Sequence, residues 1–102
     1  MNVAEAIKQG PLSATGAAFA LKGGKYIFTM QAQGFGQGAT LQMLAADGQN
    51  WLAVPSLTGD AVGDATLTNN GTCLVECAPG QHRFYLLGNF TNAYLSVLGV
   101  PE

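Results

Sequence analysis

Residues 24–54 have the sequence GKYIFTMQAQGFGQGATLQMLAADGQNWLAV, which predicts three consecutive β-strands joined by glycine-containing turns. In the first strand, Tyr26, Phe28 and Met30 alternate with mostly polar residues, and Ile27 is the apolar exception on the polar face. Successive side chains of a strand point to opposite faces, so this alternation indicates a strand with one buried face.

The turns of this stretch are marked by residues with special backbone properties. Three glycines within residues 34–38 predict a loop, because glycine adopts positive φ at little steric cost. Asp47-Gly48 between apolar runs predicts a tight type I′ hairpin, in which both central residues have positive φ. Pro55 should end the third strand, since proline has no N–H to donate to a neighbouring strand.

Further short apolar runs follow at similar spacing as far as residue 100. Counting from residue 17, we expect about eight short strands with turn-length connections, a pattern typical of antiparallel sandwiches and jelly rolls. The predicted fold is therefore an all-β, jelly-roll-like antiparallel β-sandwich that occupies residues 17–102.

Residues 1–16 have a different character. Asn2 is a good helix N-cap, and Glu5 follows three residues later as in a capping box, so a short helix or arm is predicted before Gly10-Pro11. Such a short helix is not stable by itself in water. We therefore expect this segment to pack on a neighbouring molecule through Val3, Ile7 and Leu12, rather than on its own sandwich.

The composition excludes several classes of function. Charged residues make up 10% of the 102 residues, the net charge is −2, and Lys and Arg number four in all. Four scattered cations cannot form a basic patch. We therefore expect no nucleic-acid partner. No apolar run approaches the roughly 20 residues of a membrane-spanning helix, so no membrane partner is expected either.

Chemical groups that could support catalysis are sparse. His82 is the single histidine, and its alternation with Phe84 and Leu86 predicts a partly buried ring under a turn. Cys73 and Cys77 are too far apart on an extended strand for a disulfide and are expected to be buried thiols. No nucleophile motif, paired carboxylates or metal-ligand spacing is present, so we predict a protein that is not an enzyme and has no cofactor or metal.

Several predicted strands are apolar on both faces, which predicts association. Phe84 and Leu86 point one way, whereas Tyr85 and Leu87 point the other. A sandwich this small can bury only one set in its core, and the other set would leave an apolar patch larger than a monomer usually shows. We therefore expect a homo-oligomer, a trimer or dimer. The candidate interface residues are Val3, Ile7, Leu12, Phe35, Tyr85, Leu87, Phe90 and Tyr94.

The aromatic residues allow a second interpretation. Trp51 with Tyr26, Tyr85 and Tyr94 could form a stacking platform for sugars, which would make the chain a carbohydrate-binding module.

Five short segments carry a resemblance to a known group of proteins. They are GGKY at 23–26, TLQ at 40–42, DGQNW at 47–51, PGQHR at 79–83 and YLS at 94–96. In this order they resemble the small β-sandwich virion proteins of tailed bacteriophages, of the capsid decoration, cement or head-fibre kind. The resemblance implies a structural protein that binds the major capsid protein lattice. It would be made in the host cytoplasm and act on the capsid exterior, with no catalytic residues.

Overall fold

The computed structural model describes residues 6–33, 36–59, 64–88 and 90–100. Within these ranges the chain forms ten strands and no helix. The strands are β1 (Ala6–Leu12), β2 (Phe19–Leu21), β3 (Gly24–Gln33), β4 (Gly36–Leu44), β5 (Trp51–Ala53), β6 (Ser56–Gly59), β7 (Thr66–Leu67), β8 (Gly71–Cys77), β9 (Gly80–Gly88) and β10 (Asn92–Gly99).

The strands form two antiparallel sheets with jelly-roll connectivity. Sheet A has the order β1-β10-β3-β8-β6, and sheet B has the order β2-β9-β4-β5 with β7 also paired to β4. The chain is a long hairpin rolled up on itself: β1 pairs with β10, β2 with β9, β3 with β8, and β4 with β5 and β7. Pairing of β10 with β3, and of β9 with β4, completes each sheet. The predicted jelly-roll-like sandwich is confirmed.

The core lies between the inner faces of the two sheets. Phe28 of β3 and Phe84 of β9 are fully buried, and their rings stack across the sandwich at 5.8 Å between centroids. The alternation predicted for β3 is confirmed, because Tyr26 and Met30 are buried with Phe28. Residues between them, such as Ile27, point to the outer face.

The N-terminal segment differs from the prediction. Residues 6–12 are not helical; they form β1, the edge strand of sheet A, in register with β10 from Ala6–Leu98 to Leu12–Ala93. Ile7 and Leu12 pack against the core of their own chain, so the expectation that this segment does not pack on its own sandwich is wrong. The physical reason is that pairing satisfies the backbone groups of β10, which outweighs a weak local helix preference. Val3 lies outside the described residues.

The connection 45–50 also departs from the predicted turn type. The β4–β5 hairpin is present, but only Gly48 has positive φ (+74°), so the turn is not type I′. Instead, the Asp47 carboxylate accepts hydrogen bonds from the backbone N–H groups of Gln49 and Asn50, each at 2.9 Å. This Asx-type arrangement replaces the second positive φ. The structure also contains the short strand β6, which directly follows Pro55 and pairs with β8.

Candidate functional site

The outer face of sheet B carries a cluster that we call the arginine–aromatic cluster, formed by Trp51, Arg83, Tyr85 and Gln42. Arg83 of β9 is in register with Gln42 of β4, and its Nε donates a hydrogen bond of 2.7 Å to the Gln42 Oε1. The guanidinium carbon lies 4.6 Å from the centroid of the Trp51 ring and 5.4 Å from that of Tyr85. Both rings therefore hold the guanidinium by cation–π contact.

This arrangement leaves part of the guanidinium available. Arginine has five N–H donors, and only the Nε donor is used by Gln42. No carboxylate of the described residues forms an ion pair with Arg83. Trp, Tyr and Arg are the residue types that dominate the centres of protein interfaces, because they combine large contact area with directional donors. The cluster therefore has the composition of a protein-binding surface.

The outer face of sheet A carries an apolar row. Ile27 of β3 is in register with Leu98 of β10 on one side and Leu74 of β8 on the other, and all three are half-buried. Other large apolar side chains are exposed among the described residues. They are Leu52 (54% exposed), Leu57 (50%), Tyr94 (50%) and Val100 (37%). The outer face of sheet A is thus partly apolar, which is the feature that the two-sided strands predicted.

A second feature of sheet A is the ring of Tyr94 on β10. Tyr94 is in register with Gln31, and a side chain at Gly10 would place its Cβ 2.6 Å from the Tyr94 Cδ1. The ring therefore covers the bare backbone of Gly10. A depression of about 250 Å³ lies beside the ring, lined in part by Lys8, Thr29 and Ser96.

The titratable groups of the interior are placed for packing. His82 is buried as predicted, its Nδ1 lies 3.0 Å from the Gly80 carbonyl oxygen, and desolvation lowers its pKa. Its Nε2 has no partner among the described residues. Cys73 and Cys77 are buried thiols, as predicted, and burial raises the pKa of Cys77 to about 12. A thiol with so high a pKa is a poor nucleophile at neutral pH.

No three His, Cys, Asp or Glu side chains of the described residues lie close enough together to hold a metal ion. The described residues also include no helix with the length and hydrophobicity needed to span a membrane.

The predicted interface residues divide into four groups. Tyr85 and Leu87 are half-buried on the outer face of sheet B, and Tyr94 is exposed on sheet A. Phe90 is buried in the core, whereas Ile7 and Leu12 are half-buried and pack against the core of their own chain, and an interface role for all three stays a prediction. Val3 and Phe35 lie outside the described residues.

The predicted sugar platform is not assembled in this fold. Tyr26 is buried in the core, and its hydroxyl donates to the Gly23 carbonyl oxygen at 3.4 Å. Tyr94 lies on sheet A, whereas Trp51 and Tyr85 lie on sheet B and contact Arg83. The four aromatic residues therefore cannot all contact one ligand, although Trp51 and Tyr85 are neighbours.

Sequence reasoning missed Arg83 and Gln42 as surface partners of Trp51. Their contact joins β5, β4 and β9, and it depends on the register of β4 with both neighbours. A weaker signal is present in the sequence: Arg83 alternates with the apolar residues of a predicted strand, which indicates the outer face, the same face as Tyr85.

Comparison with known proteins gives one informative similarity. No family model matches this chain, and no curated protein matches it in sequence. Among solved structures, the crystal structure of the SPBc2 prophage-derived protein YomS is similar, with a TM-score of 0.72 and 11% sequence identity. The similarity covers 99% of this chain and 97% of that chain. This chain therefore shares the whole fold of a prophage-derived protein.

Proposed function

We propose that this chain is a structural virion protein that decorates or cements a bacteriophage capsid by binding the major capsid protein lattice. The observation that carries the proposal is the similarity of fold to a prophage-derived protein over 99% of the chain. The short motifs that resemble phage virion β-sandwich proteins support it independently. On this proposal the protein is made in the host cytoplasm and acts on the capsid exterior.

The outer faces of the sandwich suit such a role. The described surface offers broad sheet faces, on which Trp51, Arg83 and Tyr85 form a cluster with the composition of an interface centre. The unused guanidinium donors can bind a carboxylate of a partner in a bidentate geometry. Sheet B is therefore the face that we assign to protein contacts.

Self-association as a trimer or dimer belongs to the same proposal. Tyr85, a member of the arginine–aromatic cluster, and Leu87 are half-buried on the outer face of sheet B. Burial of apolar area between subunits contributes about 25 cal/mol per Å², so such a face provides a driving force for association.

The decisive test is the presence of this chain in purified particles. Particles of the phage or prophage that encodes it should be separated on a density gradient, with heads resolved from tails. Mass spectrometry with isotope-labelled peptides should find the chain in heads at a fixed ratio to the major capsid protein. Particles that lack the gene are the control, and added protein should bind them until that ratio is reached. Absence from heads that form while the chain is expressed would contradict the proposal.

A second test concerns the interface on sheet B. Tyr85→Lys and Leu87→Ser should give a folded monomer by light scattering and should lose binding to heads that lack the gene. The matched control is Leu57→Lys, an equally drastic change at an exposed residue of sheet A. If the unmodified protein is monomeric and the sheet B variants still bind heads, sheet B is not the contact face.

A further inference from the structure

The surface around Tyr94 has the features of a small polar binding site. Three neighbouring strands contribute to it, because β1, β10 and β3 are adjacent in sheet A. Register places Lys8 beside Ser96, and Ser96 beside Thr29, while Tyr94 is beside Gln31. Residues two apart on a strand share a face, so these side chains all lie on the outer face.

The ring of Tyr94 is held in place from one side. The space above Gly10 is filled by the ring, since any Cβ there would lie 2.6 Å from the Tyr94 Cδ1. An aromatic side chain on a neighbouring strand can fill the space that an edge-strand glycine leaves empty. The ring thus lies against its own chain at Gly10, yet 50% of the residue remains exposed.

Two depressions are lined by Tyr94. The first, of about 250 Å³, is lined by Lys8, Thr29, Gln31 and Ser96 among others. The second, of about 130 Å³, is lined by Gln31, Ala32, Asn92 and Tyr94. Pockets for drug-sized ligands usually measure about 300–1,000 Å³, so each depression fits a unit the size of a single sugar ring. Both depressions are lined by Gln31 and Tyr94, so together they suit a chain of such units.

The lining groups define the chemistry of the ligand. Gln31 and Asn92 supply amide donors and acceptors, and the Thr29 and Ser96 hydroxyls form a hydrogen bond to each other that leaves further lone pairs available. Hydroxyl-rich ligands match such amides and hydroxyls, and the apolar C–H face of a pyranose matches an aromatic ring. Lys8 is the charged side chain among the described residues that line the larger depression.

We call the two depressions together the Tyr94 groove. We propose that the Tyr94 groove binds an oligosaccharide, with one sugar ring stacked on Tyr94, and that it prefers glycans bearing a carboxylate near Lys8. This proposal does not rest on the capsid role, and it assigns the sugar site to sheet A rather than to Trp51. A shallow, open site with one stacking ring gives dissociation constants of about 0.1–1 mM.

The test uses the full chain, labelled with ¹⁵N, and defined hexasaccharides. Oligogalacturonate and alginate hexamers are the acidic probes, and maltohexaose and cellohexaose are the neutral probes. Titration to millimolar concentrations should shift the amide resonances of β10, β3 and β1, with the acidic probes binding at least about threefold more tightly than the neutral ones. Absence of binding by all four probes at these concentrations would overturn the proposal.

Variants separate the Tyr94 groove from other surfaces. Tyr94→Leu keeps an apolar cover over Gly10 but removes the aromatic face, and it should weaken binding by about tenfold. Gln31→Ala is a second variant at an exposed residue and should also weaken binding, while Lys8→Gln should remove the preference for acidic probes. Trp51→Leu, on the opposite face, should bind as the unmodified protein does. Binding that survives Tyr94→Leu and Gln31→Ala, or that is lost in Trp51→Leu, would refute the assignment.

Discussion

His82→Phe should stabilise the protein at neutral pH and remove its pH dependence of unfolding in the range where histidine titrates. His82 is 1% exposed and lies beside Phe19, with 6.4 Å between the ring centroids. One ring nitrogen contacts the Gly80 carbonyl oxygen at 3.0 Å, and Nε2 has no partner among the described residues. Phenylalanine retains the flat ring and removes both nitrogens.

The expected gain follows from two opposing terms. A buried polar atom without a partner costs about 1–3 kcal/mol, whereas a hydrogen bond such as that to Gly80 contributes about 0.5–1.5 kcal/mol. Phenylalanine removes both terms, and Gly80 is exposed, so water can reach its carbonyl oxygen. The difference predicts that the free energy of unfolding rises by about 1 kcal/mol at pH 7.

The pH dependence has a definite sign. Burial lowers the pKa of His82 in the folded state below its ordinary value of 6.5, because desolvation disfavours the charged ring. Between the lowered pKa and 6.5, the unfolded chain binds a proton that the folded chain does not. Stability of the unmodified protein therefore rises with pH through this window, by at most about 1.4 kcal/mol per pH unit for one proton. The chain has one histidine, so the variant should lose this slope.

Urea unfolding followed by Trp51 fluorescence measures both the gain in stability at pH 7 and the change of stability with pH. All samples should have the same protein concentration, so that any association contributes equally. The midpoint of the unmodified protein should rise between pH 5 and pH 7, whereas that of His82→Phe should be higher and flat. Asp47→Asn is the control, since it should keep the slope in this range. The reasoning is refuted if His82→Phe keeps the slope, or if it is clearly less stable than the unmodified protein at pH 7.

Three further predictions use the same unfolding assay or thiol chemistry. Gly10→Ala should lower the free energy of unfolding by about 1–3 kcal/mol more than Gly24→Ala does. Both glycines have positive φ, but only Gly10 faces the Tyr94 ring and the Ala93 carbonyl oxygen. Equal losses of stability in the two variants would contradict this. Cys77, with its pKa raised to about 12, should react with a thiol reagent at pH 8 only in denaturant; equal rates with and without denaturant would refute this. Backbone N–H groups of the turn lower the pKa of Asp47 below 3.8 in the folded state. The contribution of this carboxylate to stability is therefore present above pH 3.8 and is lost as pH falls through the folded pKa. Asp47→Asn should lose less stability on acidification than the unmodified protein does, and an equal loss would contradict this.

The sequence by itself determined the class of fold and the inner face of most long strands. The alternation in β3, β9 and β10 has a period of two, and the side chains predicted to share a face do so, with Phe28, Phe84, Leu95 and Val97 all buried. This information is local, because each side chain's face follows from its neighbours in the same strand. The two-sided character of β9 was also visible, since Tyr85 and Leu87 alternate with Phe84 and Leu86.

Only the tertiary structure decided which strands are neighbours, and the order of the strands determines which side chains share a surface. The N-terminal capping signal at Asn2 and Glu5 favoured a helix, but β10 needed a partner for its backbone groups, and that partner was β1 from the other end of the chain. The contact of Arg83 with Trp51 and the row of polar residues beside Tyr94 each join strands distant in sequence. Register between such strands is determined by the packing of the whole core, so no local pattern contains it.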